Sequence, residues 1–303
     1  MTSAVIDKSV FQRICQTSNS PIWEKLLMRY QLVIPTILIE ETLVNVWDPR
    51  AKLAQEVEEM SLQLKRLQPY WVDDIREMAF REIILRETFT APLPPPPAQF
   101  LERLLSLKHD DPELRGWVTD RERLKDETVK QWKHAQEKLR PSDDPIRLDN
   151  EHEFFQKVIC PVLFHALDDP VRKNDLMRAV FGRTFDRNQD YSEKITLAIQ
   201  NYGRHNFAQF KVTLYCLSAR LSYFLGPLVQ LPTGKIIKAG NQRNSFEDEQ
   251  YVAVSLLCDR LITGDREMAR VVKVFQDAGV WRGLIIWIDP NRKLDDFIPS
   301  ILK

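Results

Sequence analysis

Residues 246–265 read FEDEQYVAVSLLCDRLITGD, and this segment gives the clearest indication of the fold class. Three acids open an apolar run that predicts a buried helix, and the run leads into a short strand candidate at residues 261–263. Asp265 follows at the end of that strand candidate. An apolar helix that feeds an apolar strand is typical of an α/β protein.

Similar alternation is found at both ends of the chain. Residues 4–6, 32–34 and 283–288 (GLIIWI) are further apolar strand candidates, and residues 11–29 and 267–278 have helical patterns. Continuous apolar strands separated by helices predict a parallel sheet covered on both faces. We therefore expect a three-layer α/β/α fold whose central parallel sheet takes strands from both termini.

The middle of the chain has a different character. Residues 49–230 are predicted to form an all-helical insertion, which leaves residues 1–48 and 231–303 as one discontinuous α/β domain. A seam of apolar residues at helical spacing predicts one of the helices, with members Phe207, Phe210, Leu214, Leu217, Leu221 and Phe224. Gly226-Pro227 is expected to end that helix.

Composition narrows the class of protein. Hydrophobic residues make up 44% of the 303 residues and charged residues 28%, which predicts a soluble globular protein. No apolar run approaches the roughly 18 residues of a membrane helix, and the first residues do not resemble a signal peptide, so we expect a cytoplasmic protein without a membrane partner. The four cysteines form no CxxC pair, so neither a zinc site nor a disulfide framework is expected.

Charge gives a mixed indication about nucleic acid. Lys plus Arg equals Asp plus Glu, 43 each, so affinity for nucleic acid must come from a local patch. Residues 194–246 contain no acid but several basic residues, and Lys235, Lys238 and Arg243 are our candidates for substrate binding. The alternative is a chance imbalance in which these side chains are spread around helices.

Acids follow three of the predicted strands. Asp7 comes directly after residues 4–6, Glu40 and Glu41 follow the strand at residues 32–34, and Asp265 follows residues 261–263. In a parallel α/β sheet, ligands bind beyond the carboxyl ends of the strands. The alternative for Asp7, and likewise for Glu40 and Glu41, is a helix-capping role.

Two further observations complete the candidate cluster. Glu40 and Glu41 point about 100° apart on a helix, so only one of them can face the same site as Asp7. Asp248 lies one helix length before Asp265 and is expected to return to the same edge of the sheet.

Four converging carboxylates repel one another unless a cation lies among them, and oxygen ligands favour Mg²⁺ or Mn²⁺. Such ions suit phosphodiester chemistry.

The order of these segments resembles the PIN domain family of nucleases. VIDKS (residues 5–9) resembles the family's opening strand with its Asp, and VIPTILIEETL (33–43) resembles the second motif, where the functional Glu is the sixth residue after Pro. That count from Pro35 gives Glu41. FEDEQYVAV (246–254) resembles the third motif, with Asp248 followed three residues on by Tyr251, and LITGDREM (261–268) resembles the closing motif.

The resemblance implies a PIN-like fold and a metal-dependent endoribonuclease. It implies that catalysis and metal binding depend on four carboxylates: Asp7, Glu41, Asp248 and Asp265. Ser9, Thr263 and Glu40 would support them, and the substrate would be RNA or, alternatively, DNA. The insertion is longer than in compact family members, and it offers a surface either for substrate or for a protein partner or inhibitor.

Two other functional classes compete with a nuclease. A catalytically silent PIN-like module that binds RNA or protein agrees with the neutral charge and the long insertion. A phosphohydrolase of the haloacid-dehalogenase type would need a second Asp two residues after the first. Ser9 occupies that position here, so this alternative lacks a required acid.

Overall fold

The computed structural model describes residues 2–16, 22–47, 62, 69–85, 87–89, 95–106, 111–139, 146–162, 211–235, 237, 244–297 and 299. Over these residues the chain is an α/β protein with a central five-stranded parallel sheet. Helices flank the sheet, consistent with the expected three-layer α/β/α fold. No helix within these residues is long and apolar enough to cross a membrane.

The N-terminal part supplies the centre of the sheet. Its elements are β1 (Thr2–Ile6), α1 (Lys8–Gln16), α2 (Ile22–Arg29), β2 (Tyr30–Pro35) and α3 (Ile37–Trp47). Ala4, Val5 and Ile6 are fully buried, as expected of a strand covered on both faces. The helical pattern predicted over residues 11–29 is divided between α1 and α2.

The prediction that residues 49–230 are all helical is wrong. Tyr70–Val72 forms β3, which pairs in parallel with β2 at the edge of the main sheet. The segment is only three residues long and lies in a charged, helix-forming context, so its aromatic and β-branched residues were too few for a strand pattern. The helices α4 (Ile75–Ile84), α5 (Ala98–Ser106) and α6 (Pro112–Leu139) follow it.

A second, small sheet also comes from this region. Its strands are β4 (Ile146–Arg147), β5 (Val229–Leu231) and β6 (Gly234–Lys235). Between β4 and β5 lie α7 (Glu151–Glu153), which continues as a π-helix (Phe154–Ile159), then α8 (Lys211–Leu225) and a 3₁₀ turn (Gly226–Leu228). The predicted boundary after residue 230 therefore falls inside β5, while the division into two domains stays a prediction.

The helix predicted from the apolar seam corresponds to α8. Gly226 begins the 3₁₀ turn that follows it, where the helix was expected to end. Most residues of α8 are buried because it packs against α4 on one side and against a helix near the C-terminus on the other. Trp132 of α6 meets Phe224 edge to face at 5.7 Å, which attaches α6 to α8. Phe207 and Phe210 lie outside the described residues.

The C-terminal part returns to the main sheet. Its elements are α9 (Ser245–Ser255), β7 (Arg260–Thr263), α10 (Arg266–Asp277), β8 (Leu284–Trp287) and a 3₁₀ turn (Leu294–Phe297). The strand order is β3-β2-β1-β7-β8, so β1 lies beside β7 with Ile6 opposite Ile262. The chain builds the sheet outward from β1 in both directions, which makes the β1–β7 boundary a topological switch point. That boundary is where the strand ends carry Asp7 and Asp265.

Candidate functional site

Asp7 lies at the switch point and is held by four donors. Its Oδ1 accepts hydrogen bonds from Ser9 Oγ at 2.9 Å and from the Val10 amide at 2.8 Å. Its Oδ2 accepts from Thr263 Oγ1 at 2.5 Å and from the Gly264 amide at 3.0 Å. Burial raises the pKa of Asp7, and these four hydrogen bonds lower it in part. The carboxylate is thus fixed in place with 3% of the residue exposed.

Thr263 and Asp265 extend this arrangement along β7. Thr263 Oγ1 accepts a hydrogen bond from the Asp265 amide at 2.9 Å while donating to Asp7, so one hydroxyl joins the two strand ends. Asp265 is also the N-cap of α10, since its Oδ1 accepts from the amides of Glu267 and Met268 at 2.6 and 2.9 Å. Asp265 therefore caps a helix, and the capping role predicted as an alternative for Asp7 is also present, since Asp7 precedes α1 and accepts from the Val10 amide in its first turn.

Glu41 faces the same edge from α3. Its Oε2 accepts a hydrogen bond from the Tyr251 hydroxyl at 2.8 Å, and Lys8 Nζ lies 3.8 Å from its Oε1. Lys8 also donates to the Glu41 carbonyl oxygen at 3.1 Å. Burial raises the pKa of Glu41, and Lys8 and Tyr251 lower it in part.

Asp248 occupies the centre of the arrangement. Among the described residues, no donor hydrogen-bonds its carboxylate. Burial raises the pKa of Asp248 well above its usual value, and the negative charges of nearby carboxylates raise it further, in the order Asp265, Glu41, Asp7 and Glu267. The four sequence-predicted acids therefore lie close enough to influence one another. We call Asp7, Glu41, Asp248 and Asp265 the acidic edge.

Both sequence neighbours of Asp248 have cationic partners. Glu247 forms an ion pair with Lys125 of α6. Glu249 forms one with Arg220 at 2.8 Å and lies 3.4 Å from Arg76. Successive helical residues point about 100° apart, so three adjacent acids of α9 face three different surroundings. Only the middle one faces the acidic edge.

Glu40, like Glu247 and Glu249, has a cationic partner. Arg121 Nε lies 2.6 Å from Glu40 Oε2, and Arg121 Nη1 lies 2.5 Å from Asp74 Oδ2. Burial raises the pKa of Glu40 to about 7, against the opposing effect of Arg121. For Asp74, the charges of Arg121 and Arg76 outweigh burial and lower the pKa to about 2. We call Glu40, Asp74, Glu247 and Glu249 the ion-paired acids.

A buried tyrosine hydroxyl lies near the acidic edge. Tyr223 of α8 is 1% exposed, and its hydroxyl has no hydrogen-bond partner among the described residues. Burial raises the pKa of Tyr223, and the charges of Asp248 and Asp265 raise it further. A buried hydroxyl without a partner is costly, so a ligand or a water molecule at the acidic edge would stabilise it.

The acidic edge has the oxygen ligands that a hard cation prefers, but they are not arranged to enclose an ion directly. Among the described residues, no group of three or more His, Cys, Asp or Glu side chains is arranged to hold a metal ion directly. Carboxylates and hydroxyls are the ligands of Mg²⁺ and Mn²⁺, and Mg²⁺ usually keeps several waters and binds one or two carboxylates directly. The residues present therefore fit a partly hydrated cation better than one enclosed by protein.

A cleft of about 290 Å³ opens beside the acidic edge. It lies between α6 on one side and α3 and α9 on the other, and its lining includes Lys8, Glu40, Glu41, Arg121, Lys125 and Asp248. Nine of the twelve described lining residues are polar or charged, which favours a polar ligand over an apolar one.

Of the basic residues proposed for substrate binding, the structure describes Lys235 alone. Lys238 and Arg243 fall outside the described residues. Lys235 is exposed in β6 and is not one of the described residues that line the cleft. Arg220, from the same acid-free stretch, is 6% exposed and paired with Glu249, so it serves the core. Lys8 and Lys125, which the sequence reasoning did not select, are the lysines in the cleft.

Some of these roles had a signal in the sequence and others had none. Lys8 adjoins Asp7, so a cation beside the first strand end could have been considered from sequence. Tyr251 was recognised as part of the third motif, but its hydrogen bond to Glu41 spans 210 positions. Lys125 lies in a charged helix where many residues resemble it, and only the packing of α6 selects it.

Comparisons with known proteins add no relative from which function can be transferred. No protein-family model, no curated protein and no solved structure matches this chain. The function must therefore be argued from the acidic edge and the cleft themselves.

Proposed function

We propose that the protein is a metal-dependent nuclease that hydrolyses phosphodiester bonds, with a PIN-like fold and RNA as its substrate. The observation that carries this proposal is Asp248, a carboxylate close enough to the other three acids of the acidic edge for their charges to raise its pKa, and lacking a donor among the described residues. Such a carboxylate costs free energy unless a cation binds beside it. Its place at a topological switch point next to a polar cleft supports a ligand-binding role.

The chain's own residues have distinct roles in this proposal. Asp7, Glu41, Asp248 and Asp265 would hold Mg²⁺ or Mn²⁺, in part through water. A cation bound there would activate a water molecule and neutralise charge on the phosphate. Ser9 and Thr263 fix the orientation of Asp7, and Tyr251 fixes that of Glu41.

A second function, a catalytically silent module that binds RNA or protein, is favoured by one observation. Within the described residues the acids do not form a direct metal-holding group, and both oxygens of Asp7 are already satisfied by the protein. In that case the acids would be helix caps and core contacts, and a partner would bind through the helices of residues 49–230.

Cleavage of a mixed RNA pool with Mn²⁺ or Mg²⁺ separates the two functions. We expect metal-dependent cleavage by the wild type and a loss of about 100-fold or more in Asp248→Asn, since even groups behind metal ligands contribute 10–100-fold. Glu247→Gln is the matched control, because it removes the adjacent carboxylate from an ion pair outside the acidic edge. Absence of metal-dependent cleavage in the wild type would leave the silent module.

A further inference from the structure

One wall of the cleft contains a buried carboxylate oxygen to which no described residue donates a hydrogen bond. Glu40 is 6% exposed and lines the cleft, and its Oε1 has no hydrogen-bond partner among the described residues. Its other oxygen, Oε2, is held by Arg121 at 2.6 Å. A buried carboxylate oxygen without a donor is destabilising, and a ligand that brings a donor removes that cost.

The side chain is fixed rather than free to turn away. Arg121 contacts both Glu40 and Asp74, and Asp74 is itself the N-cap of α4 through the Arg76 amide. Arg121 belongs to α6, so the helix that closes the cleft also fixes the acceptor on the opposite wall. A fixed acceptor selects among ligands because it does not adapt to one that lacks the donor.

The lining of the cleft indicates which part of a nucleotide fits. Bases bind proteins by stacking on aromatic or Arg faces, whereas sugar and phosphate are bound by polar and charged groups. Phe246 is the aromatic residue of the described lining, and it is 5% exposed with Arg76 over its ring at 3.8 Å. The described lining residues include five carboxylates and three cationic groups. A neutral sugar is not repelled by these carboxylates.

Position supports the sugar next to the cleaved bond. Glu40 directly precedes Glu41 of the acidic edge, and Asp248 lines the same cleft. In RNA the 2′-hydroxyl is on the carbon beside the one that bears the 3′-phosphate oxygen, so a phosphate at the acidic edge brings this hydroxyl close by. The 2′-hydroxyl is also the group by which proteins distinguish RNA from DNA.

We infer that Glu40, held by Arg121, hydrogen-bonds the 2′-hydroxyl of the ribonucleotide beside the cleaved phosphate and thereby selects RNA over DNA. This inference rests on the proposed nuclease function and adds the residue that determines its substrate class. Arg121 acts as a positioning residue, and α6 contributes to specificity through it.

Binding of matched oligonucleotides to the full chain tests the inference. Fluorescence anisotropy would compare a short labelled single-stranded RNA, the DNA of the same sequence and its 2′-O-methyl RNA, with Ca²⁺ in place of Mn²⁺. We expect the wild type to bind RNA about tenfold more tightly than either analogue, the factor that one ordinary net hydrogen bond supplies. Equal affinity for RNA and 2′-O-methyl RNA would overturn the inference without any protein variant.

Variants assign the effect to Glu40. Glu40→Leu should bind RNA as weakly as DNA, while Glu40→Gln should keep much of the preference because its amide oxygen still accepts. Asp74→Asn is the control, since it removes the other partner of Arg121 and does not line the cleft. A folded Glu40→Leu that still prefers RNA would contradict the inference.

The two proposals fail in different ways. Metal-dependent cleavage of RNA and DNA at equal rates would sink the role of Glu40 and leave the nuclease intact. No metal-dependent cleavage of either substrate would sink the nuclease itself.

Discussion

The acidic edge and the ion-paired acids lie side by side and have opposite surroundings. Each of the ion-paired acids contacts an Arg or Lys, whereas Asp248 is surrounded by carboxylates. The two sets alternate along the chain, since Glu40 adjoins Glu41 and Asp248 lies between Glu247 and Glu249. Helix geometry thus separates neighbouring acids into a set that is paired with cations and a set that meets at the carboxyl edge of the sheet, and members of both sets line the cleft.

This difference distinguishes acids whose charge the protein balances from acids whose charge it does not. The charge of a buried acid with a cationic partner is balanced within the folded structure. A buried acid whose neighbours are acids is not, because both burial and repulsion oppose its charge. A strongly raised pKa of an acid beside a cleft is therefore a reason to look for a ligand.

The largest expected effect is at the ion-paired acids. Arg220→Met should lower the free energy of unfolding by about 3 kcal/mol, because it leaves Glu249 buried with only the more distant Arg76. Urea denaturation measures this change.

Lys211→Met provides the control for Arg220→Met. Lys211 is exposed on the same helix, and its replacement should change stability by no more than about 0.5 kcal/mol. If Arg220→Met were as stable as Lys211→Met, the ion pair between Glu249 and Arg220 would contribute nothing measurable to the stability of the fold.

A smaller effect is expected at Glu41, which is intermediate between the two sets. It has one cation at 3.8 Å and one hydroxyl donor, Tyr251. Tyr251→Phe removes that donor, so the pKa of Glu41 should rise further and the free energy of unfolding should fall by about 1.5 kcal/mol. Urea denaturation and an NMR titration of the Glu41 carboxyl would measure both, and an unchanged pKa would show that the hydrogen bond has no influence on Glu41.

Much of the fold could be predicted from the sequence because its signals are local. The strands β1, β2, β7 and β8 are apolar runs bounded by helices, and each was placed within one or two residues. β3 was missed because three residues are too few to show a periodicity. It forms a strand because it pairs with the edge of β2, a contact that the local sequence does not show. The second sheet was missed for the same reason, since β4 and β6 have two residues each.

The acids of the site could be selected from sequence, but their partners could not. Asp7 and Asp265 follow strands, and parallel strands end at one edge of the sheet, so their proximity follows from topology. The pairing of Glu40 with Arg121 joins residues 81 positions apart and depends on how α6 packs. Arg220 lies in the acid-free stretch that supplied the substrate-binding candidates and is a core residue, because charge in a sequence does not reveal burial.

Thermal melting of the wild type and Asp248→Asn, in EDTA and in millimolar Mn²⁺, tests the central claim most directly. A cation that binds the folded form at 100 times its dissociation constant stabilises it by about 2.7 kcal/mol, so the wild type should melt about 4 °C or more higher with Mn²⁺. Asp248→Asn should exceed the wild type in EDTA, because a repelled carboxylate is gone, and should gain less from Mn²⁺, while Glu247→Gln should respond to Mn²⁺ like the wild type. If Asp248→Asn is instead less stable in EDTA and gains as much from Mn²⁺ as the wild type, Asp248 is a structural residue that does not hold the metal, and the nuclease proposal loses its central residue.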